Sequence, residues 1–295
     1  MKIKMSASRR LFVIFNYVIL TLLSLVFVLP MLSLVSTSLV SQAEIQERGN
    51  LFLFPRKIDY SAYKILLNKD SIVWNAYGIT LFRVAVGTLI QMTVTCMLAY
   101  ALSKKNLPFR GIITGFVLVP MFISGGLVPT YLLIKQLGLI DSLWVLVIPN
   151  AMSIYNMLLL RNFFMSIPIT LEESAVLDGA TPLRTLWSII LPLSLPSIMT
   201  IGMFYAVGHW NEWFDAAIYI NSSSKLPMQS VMRNIVQQYT VSDLEAMSDE
   251  AMLNRIPQQT VQNATVVVAT LPILVAYPFV QKYFIKGVMV GSLKG

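Results

Sequence analysis

The sequence predicts an all-α membrane protein with six transmembrane helices. Of its 295 residues, 56% are hydrophobic and only 12% are charged, whereas about 25% of the residues in a soluble domain are charged. Six runs approach the length of about 20 mainly apolar residues that a helix needs to cross about 30 Å of hydrocarbon. Basic residues collect at alternate ends of these runs, as they do in multi-pass membrane proteins.

The first predicted span, residues 11–35, is expected to be a retained anchor rather than a removed signal peptide. Its apolar stretch is longer than the core of a signal peptide, and it lacks a clear small-x-small cleavage site. The other five spans are predicted at residues 75–102, 111–134, 143–164, 193–220 and 263–284. Neighbouring helices can satisfy the backbone groups that a kink frees, which makes room for five prolines in or near the spans: Pro30, Pro120, Pro149, Pro272 and Pro278.

Short basic segments predict the orientation of the chain in the membrane. They precede the first span, join the second span to the third, and follow the sixth: Lys2, Lys4, Arg9, Arg10, Lys104, Lys105, Arg110, Lys282, Lys286 and Lys294. With six spans these segments all lie on one side, which the positive-inside rule makes cytoplasmic. Both termini and residues 165–192 are therefore expected in the cytoplasm, and residues 221–262 outside. Residues 1–295 are expected to form a single transmembrane domain.

The reactive side chains are too few for most enzyme chemistry. Cys96 and His209 are the only cysteine and histidine, which excludes an intramolecular disulfide and a histidine-based metal site. A phosphate-binding loop needs a lysine at a fixed spacing from its glycines, and Lys294 in GVMVGSLKG is misplaced. The net charge of +8 is scattered over short loops, which indicates contact with membrane lipid rather than with nucleic acid.

The segment from Glu172 to Pro192 reads as two short helices with a glycine joint between them. Leu171–Leu177 favours a helix with an acidic first turn. Gly179 permits a left-handed backbone, and Thr181 can cap a second helix whose first turn holds Pro182. One apolar stripe is predicted on that second helix, made of Leu183, Leu186, Trp187 and Ile190. An ordinary amphipathic inner loop explains these features equally well.

The spacing within this segment resembles the EAA motif of permease subunits in binding-protein-dependent ABC importers. The matching positions are Glu173, Ala175, Gly179, Ile189, Leu191 and Pro192, and Ser174 stands where the motif has its first alanine. Three further stretches are similar to maltose-type carbohydrate permeases: PTYLLIKQLGLIDSLWVLVIP, RNFFMSIPITLEESAVLDGA and HWNEWFDA. These stretches and the terminal YFIKGVMVGSLKG most resemble the second permease subunit, in the branch that handles complex oligosaccharides.

The resemblance implies a type I ABC importer permease fold in a bacterial cell membrane, with a coupling helix between the fourth and fifth spans. Glu173 would pair with a basic group of an ATPase subunit, and Gly179 would let the turn fit its cleft. The other residues of this contact would be Glu172, Ala175, Leu177, Asp178, Ala180 and Arg184. Gly291 and Lys294 would belong to a tail that reaches the ATPase dimer interface.

The resemblance also implies the partners of the chain. They would be a second permease subunit in a heterodimer, two ATP-binding subunits, and an extracellular or periplasmic sugar-binding protein that contacts residues 221–262. This chain would be non-catalytic and would carry no cofactor, because ATP and Mg²⁺ would be bound by the ATPase subunits.

Polar and aromatic residues of two spans are candidates for the substrate pathway. Sugars stack on aromatic faces and need hydrogen-bond partners for their hydroxyls. The fourth and fifth spans supply Asn150, Tyr155, Asn156, Tyr205, Trp210, Asn211, Glu212, Trp213 and Asp215. An interfacial aromatic belt is an alternative, and Glu212 and Asp215 could instead pair with Arg83 or with a partner subunit. Arg83 is otherwise expected to extend its side chain towards the membrane surface.

Three other functions compete with a sugar importer subunit. A permease for a non-sugar solute would share the coupling motif. A secondary transporter would be expected to show an internal repeat and ionisable groups at the midplane, and the sequence has no repeat. A membrane-embedded enzyme would need a cluster of reactive residues that is hard to assemble from this sequence.

Overall fold

The computed structural model describes residues 7–49, 52–245 and 258–292, and these ranges contain helices and no strand. The longer helices are α1 (Ala7–Thr37), α4 (Ile72–Ser103), α5 (Arg110–Phe122), α6 (Leu127–Gln136), α7 (Ile154–Met165), α11 (Leu195–Asn211), α13 (Met228–Glu245) and α14 (Gln258–Ser292). The shorter ones are α2 (Gln42–Arg48), α3 (Ser61–Leu66), α8 (Ile169–Leu177), α9 (Pro182–Thr185), α10 (Leu191–Leu193) and α12 (Phe214–Tyr219). Three single turns, Leu143–Leu146, Leu186–Ile190 and Ser223–Lys225, complete the order.

Three helices are long and apolar enough to cross a membrane alone: Ser8–Thr37, Ile72–Ser103 and Gln259–Pro278. They coincide with the first, second and sixth predicted spans. Three bent pairs also qualify, which brings the number of candidate spans in the described ranges to between three and six. The pairs are α5 with α6, α7 with α8, and Pro182–Leu193 with α11, bent by 112°, 75° and 88°.

The third, fourth and fifth predicted spans are not continuous helices. Residues 123–126 separate α5 from α6, where Gly126 adopts a left-handed φ of 84°. In the fourth, residues 147–153 around Pro149 are not helical, so regular helix begins only at Ile154. The fifth is interrupted at Ser194, after which α11 begins at Leu195 with Pro196 in its first turn, and again at residues 212–213. Proline lacks the backbone N–H that a helix interior requires, which explains two of these breaks.

The predicted outer segment 221–262 is partly helical. It contains the turn Ser223–Lys225 and all of α13, and α14 begins at Gln258. Residues 246–257, between α13 and α14, lie outside the described residues.

The chain forms two compact units. One ends at Ser71 and resumes over Met232–Leu271, and the other comprises Ile72–Val231 and resumes at Pro272. In the first unit, Asn263 Nδ2 donates to Thr37 Oγ1 at 2.6 Å. The buried Glu44 accepts hydrogen bonds from the Arg48 side chain and from the Arg56 backbone N–H. The residues between α1 and α4 are therefore held by specific hydrogen bonds.

The core of the second unit lies where α4 packs against α7, α11 and the turn at Leu186–Ile190. Its most deeply buried side chains are Leu102, Met157, Leu160 and Ile190, which are fully excluded from solvent. Burial of a large aliphatic side chain stabilises a fold by about 1.5–3 kcal/mol. This packing fixes the residues that lead into and out of the segment 165–192.

Candidate functional site

The segment 165–192, called the coupling loop below after the role that its resemblance to the EAA motif implies, contains the two short helices that the sequence predicts. After α8 the chain turns at Gly179, whose φ is 76°. Ala180 N–H donates to Ala175 O at 2.9 Å and Gly179 N–H donates to Val176 O at 3.0 Å. These two bonds make a Schellman motif, which requires a residue that tolerates a left-handed backbone. Thr181 Oγ1 then caps α9 by accepting from Arg184 N–H.

The joint of the coupling loop presents apolar side chains to its surroundings. Leu177 is 88% exposed and Val176 is 66% exposed. Glu173, Asp178 and Arg184, all predicted contact residues, are also exposed. Ala180 is half-buried, and Ala175 differs from the expectation because it is buried within this chain. The side chain of Ala175 therefore packs inside the loop, and the exposed tip consists of its neighbours.

The apolar stripe predicted on the second helix is divided. Leu186 and Ile190 are buried, whereas Leu183 and Trp187 are 55% and 59% exposed. Leu186–Ile190 forms a π-helical turn, and a wider turn rotates the following side chains away from the 3.6-residue period. The four residues predicted to form one stripe are thus split between buried and exposed positions in this chain.

Ser174, the departure from the EAA pattern, has a local partner for its hydroxyl. Its Oγ donates to Thr170 O at 2.8 Å, one turn back in α8. The hydroxyl is therefore satisfied within the helix.

Glu172 forms an ion pair that the sequence did not indicate. Its carboxylate accepts a hydrogen bond from Lys104 Nζ, just beyond the end of α4. The same ammonium lies 3.9 Å from the centre of the Tyr100 ring. Burial lowers the pKa of Lys104 to about 8. One side chain thus links α4 to the first turn of α8.

A second polar group of residues surrounds the break in the fifth span. Arg83 donates from Nη2 to Asp215 Oδ2 at 3.0 Å and from Nη1 to Glu212 O at 2.9 Å. Asn150 Nδ2 also donates to Asp215 Oδ2, at 2.9 Å. Gln91 Nε2 donates in turn to Asn150 O at 2.5 Å. Interruptions in the fourth and fifth spans are therefore both bonded to α4.

Arg83 does not extend to the membrane surface. It is 1% exposed, so the expectation that its side chain would snorkel was wrong. Its position is explained by the Glu212 carbonyl, which the break in α11 leaves without a helical partner, and by the Asp215 carboxylate. The alternative pairing of Asp215 with Arg83 is the one that the structure contains.

The other pathway candidates fall into two groups. Tyr205 and Trp210 are buried, and Tyr205 Oη contacts Thr95 Oγ1 at 2.7 Å and accepts from Ser153 N–H at 3.1 Å. Asn156 is also buried in α7. Tyr155 and Asn211 are exposed, while Glu212 and Trp213 are half-buried. Only Asn150, Glu212 and Asp215 are brought together with Arg83; Tyr155 and Asn156 do not join that cluster in the contacts observed.

An apolar groove of about 710 Å³ lies beside α4 in the same unit. Its walls are side chains of α4, α11 and residues 272–277, with Trp187 and Leu191 at one end. Trp210 Nε1 and Thr88 Oγ1, which line it, are buried without a hydrogen-bond partner. A surface this poor in polar groups is suited to apolar contacts rather than to the hydroxyls of a sugar.

Two remaining predictions concern the C-terminal tail and metals. Gly291 lies in α14, and Lys294 lies outside the described residues. Within the described part of the chain, no group of three His, Cys, Asp or Glu side chains is arranged to hold a metal ion.

Comparisons with known proteins place this geometry in a family. The family described as "binding-protein-dependent transport system inner membrane component" matches residues 91–290. The chain is 40% identical to Protein LplC of Bacillus subtilis (strain 168), over 97% of this chain and 96% of that protein. It is 39% identical to the polygalacturonan/rhamnogalacturonan transport system permease protein YtcP of the same organism, over 97% and 99% of the two chains.

A solved structure agrees with these relatives. It is the crystal structure of a bacterial ABC transporter involved in the import of the acidic polysaccharide alginate. One of its chains is 31% identical to this one, with a TM-score of 0.85, over 96% of this chain and 100% of that chain. The family match covers more than half of the sequence, and the relatives span nearly all of it. The chain therefore belongs to the family of binding-protein-dependent transport system inner membrane components.

Proposed function

We propose that this chain is the permease subunit of an ATP-driven importer of sugars, in particular oligosaccharides. Membership of the family supports the importer class. Two similar proteins support the substrate class, since one is named for polygalacturonan and rhamnogalacturonan and the other for alginate. All three names describe polymers of sugars. The chain would supply half of a translocation pathway across a bacterial cell membrane.

The exposed joint of the coupling loop carries the proposal that a partner supplies the energy. Leu177 is an aliphatic side chain with 88% of its surface exposed, at the tip of a turn fixed by two backbone hydrogen bonds. A rigid turn bearing exposed apolar side chains, with the charges of Glu173 and Arg184 nearby, is suited to docking in a cleft of another protein. The protein with this cleft would be a cytoplasmic ATP-hydrolysing subunit.

The remaining assignments follow from this arrangement. Both termini and the coupling loop would lie in the cytoplasm, because basic residues flank the corresponding ends of the spans. Residues 221–262 would face the extracellular or periplasmic sugar-binding protein. A second permease subunit would complete the pathway, and two ATPase subunits would bind ATP and Mg²⁺. This chain would itself be non-catalytic.

Uptake by the purified complex tests the proposal. The tagged chain would be isolated from its native membranes together with the proteins that accompany it, and the complex would be placed in lipid vesicles with its binding protein. We expect uptake of labelled oligosaccharides that depends on ATP. Uptake of an amino acid or of a metal ion instead would keep the importer class and overturn the sugar assignment. Uptake driven by an ion gradient without ATP would overturn both.

Leu177→Asp tests the docking surface separately, because an exposed charge there disrupts an apolar contact without disturbing the fold. We expect the ATPase subunit to be lost from the isolated complex. Leu137→Asp is the matched control, since Leu137 is a 62% exposed leucine at the end of α6. If both variants keep the ATPase, the tip at Leu177 is not the docking surface.

A further inference from the structure

The end of α4 next to the coupling loop is attached to several neighbouring elements. Leu102 O accepts a hydrogen bond from Arg110 Nε and another from Arg161 Nε, each at 3.0 Å. Arg161 belongs to α7, which leads directly into the coupling loop. A carbonyl in the last turn of a helix has no helical partner, so the two guanidinium groups satisfy it and tie α4 to α7.

Packing reinforces the same attachment. The rings of Tyr100 in α4 and Phe164 in α7 meet edge to face, with their centres 6.4 Å apart. Both side chains are buried in the core of the second unit. Aromatic pairs in this arrangement stabilise a contact beyond the area that they bury. The ends of α4 and α7 can therefore be treated as one packed body.

The pair formed by Lys104 and Glu172 extends this body into the coupling loop. Glu172 lies in the first turn of α8. In the described residues, its pair with Lys104 is the only ion pair that joins α8 to another part of the chain. The side chains of Lys104 and Glu172 are 31% and 20% exposed. The pair is thus partly shielded from water, where a charge–charge interaction is stronger than at an open surface.

We propose that Lys104 and Glu172 are positioning residues that make α4 move together with α8 when an ATPase subunit displaces the coupling loop. The inference rests on the proposed function and adds a second route by which movement of the coupling loop reaches the spans. The loop already continues through α9 and α10 into α11. The Lys104–Glu172 pair connects the same loop to α4, which holds Arg83 and Gln91 at the breaks in the fourth and fifth spans. A displacement at α8 then reaches both breaks through α4.

Charge reversal tests this connection. Lys104→Glu and Glu172→Lys each place like charges together, and the double variant restores an opposite pair. We expect each single variant to lower the amount of oligosaccharide imported per ATP hydrolysed by about fivefold, measured per complex that retains the ATPase. The double variant should recover most of this loss. Lys105→Glu, which makes the same change at an exposed neighbouring lysine, should have no effect.

The possible results separate this inference from the proposed function. If the unaltered complex shows no ATP-dependent uptake, the proposed function itself is wrong. If uptake is normal but the single variants keep the unaltered import per ATP, only the role of the pair is overturned. A loss that the double variant does not recover also overturns it, because the effect would then belong to the individual side chains.

A variant that lacks both charges distinguishes the loss of the ion pair from a folding defect. If a single reversal reduces the amount of assembled transporter, Lys104→Met combined with Glu172→Gln removes both charges without creating repulsion. Import per ATP would be measured per assembled complex. We expect it to fall, and an unchanged ratio would contradict the inference.

Discussion

The buried Arg83 and the half-buried Asp215 form an ion pair between positions 132 residues apart in the sequence, with Nη2 and Oδ2 separated by 3.0 Å. The pair lies at the break in the fifth span, where Arg83 also donates a hydrogen bond to the Glu212 carbonyl. Ions are costly to bury in a membrane protein unless they are paired or bonded to backbone carbonyls. Arg83 meets both conditions, because it is paired with Asp215 and bonded to the Glu212 carbonyl that the end of α11 leaves free.

Arg83→Met should destabilise the protein by up to about 3–5 kcal/mol, because it leaves the half-buried Asp215 carboxylate without its cation. Thermal unfolding of the chain in detergent measures the effect. Adding Asp215→Asn should recover part of the loss, since the uncompensated charge is then removed. If Arg83→Met keeps normal stability but abolishes sugar uptake, the pair serves the substrate rather than the fold.

Gly87→Ala should destabilise the contact between α4 and α11. A Cβ at position 87 would overlap the imidazole ring of the buried His209, and overpacking of this kind costs about 1–3 kcal/mol. Gly78→Ala is the control in the same helix, because a Cβ there would meet no other atom within 4 Å. It should raise stability by up to about 1 kcal/mol through helix propensity. Equal effects of the two changes on the unfolding temperature would contradict the packing at Gly87.

Asp141→Asn should loosen the residues that follow α12. Asp141 accepts hydrogen bonds from Asn221 N–H and Ser222 N–H at 3.0 and 2.9 Å, and it pairs with Lys225. Asparagine tolerates the left-handed φ of 56° at this position, so the variant removes charge without adding strain. Faster hydrogen exchange at residues 221 and 222 is expected. Unchanged exchange would show that the carboxylate charge is not required.

The same carboxylate predicts a dependence on acid. Hydrogen bonds from Ser222 hold the pKa of Asp141 well below its usual range. The stabilising contribution is therefore complete above the usual pKa of about 4 and disappears as the pH falls towards the lower folded value. Protection of the amides of residues 221 and 222, expressed relative to the intrinsic exchange rate at each pH, should fall below about pH 4, and Asp141→Asn should abolish that pH dependence.

The Lys104–Glu172 pair predicts a dependence on alkali. Because burial lowers the pKa of Lys104 to about 8, the ammonium loses its proton as the pH rises through that value. Between about pH 8 and the unfolded pKa of about 10.4, the unfolded chain binds more protons, so this group makes the fold more stable as the pH rises. Import per ATP should fall over the same range, because the ion pair requires the proton.

Lys104→Arg provides the control for this pH dependence. A guanidinium stays protonated far above pH 8, so import per ATP by the variant should remain constant where that of the unaltered complex declines. Both proteins are compared between pH 7 and about pH 9 in vesicles of the same lipid composition. Parallel declines in both proteins would show that another group is responsible.

The features that the sequence predicted correctly depend on neighbouring residues. The continuous helix α4 follows from a long apolar run, and the joint at Gly179 follows from glycine, Thr181 and Pro182 within a few positions. These local preferences act wherever the segment lies in the fold. The family resemblance drawn from the spacing around Glu173 has the same local character, and the family match confirms it.

The features that the sequence did not predict depend on distant residues. The end of α11 is bonded to Arg83, which precedes Glu212 by 129 positions, and Glu172 pairs with a lysine 68 positions away. The pairing of Arg83 with Asp215 was offered only as an alternative to an extended side chain, because a hydropathy window around Arg83 contains neither the freed carbonyl nor Asp215. The fourth and fifth spans were predicted without interruptions, because a proline in a sequence indicates a kink or a break and does not decide between them.

The measurement that tests the central claim most directly compares two glycines with the same local geometry. Gly179 and Gly138 both follow a helix, adopt φ values of 76° and 68°, and leave open space at the position of a Cβ. Each also belongs to a motif in which the next residue bonds back to the helix, Ala180 to Ala175 and Leu139 to Ile134. Asparagine tolerates this conformation, so the substitution should leave the chain folded at both sites.

ATP-dependent oligosaccharide uptake and retention of the ATPase subunit would be measured for Gly179→Asn and Gly138→Asn. The coupling role of the joint predicts that Gly179→Asn loses both, because the added side chain obstructs a partner's cleft, whereas Gly138→Asn keeps both. If the two variants retain the ATPase and transport equally well, the segment around Gly179 is an ordinary loop and the energy reaches the spans by another route.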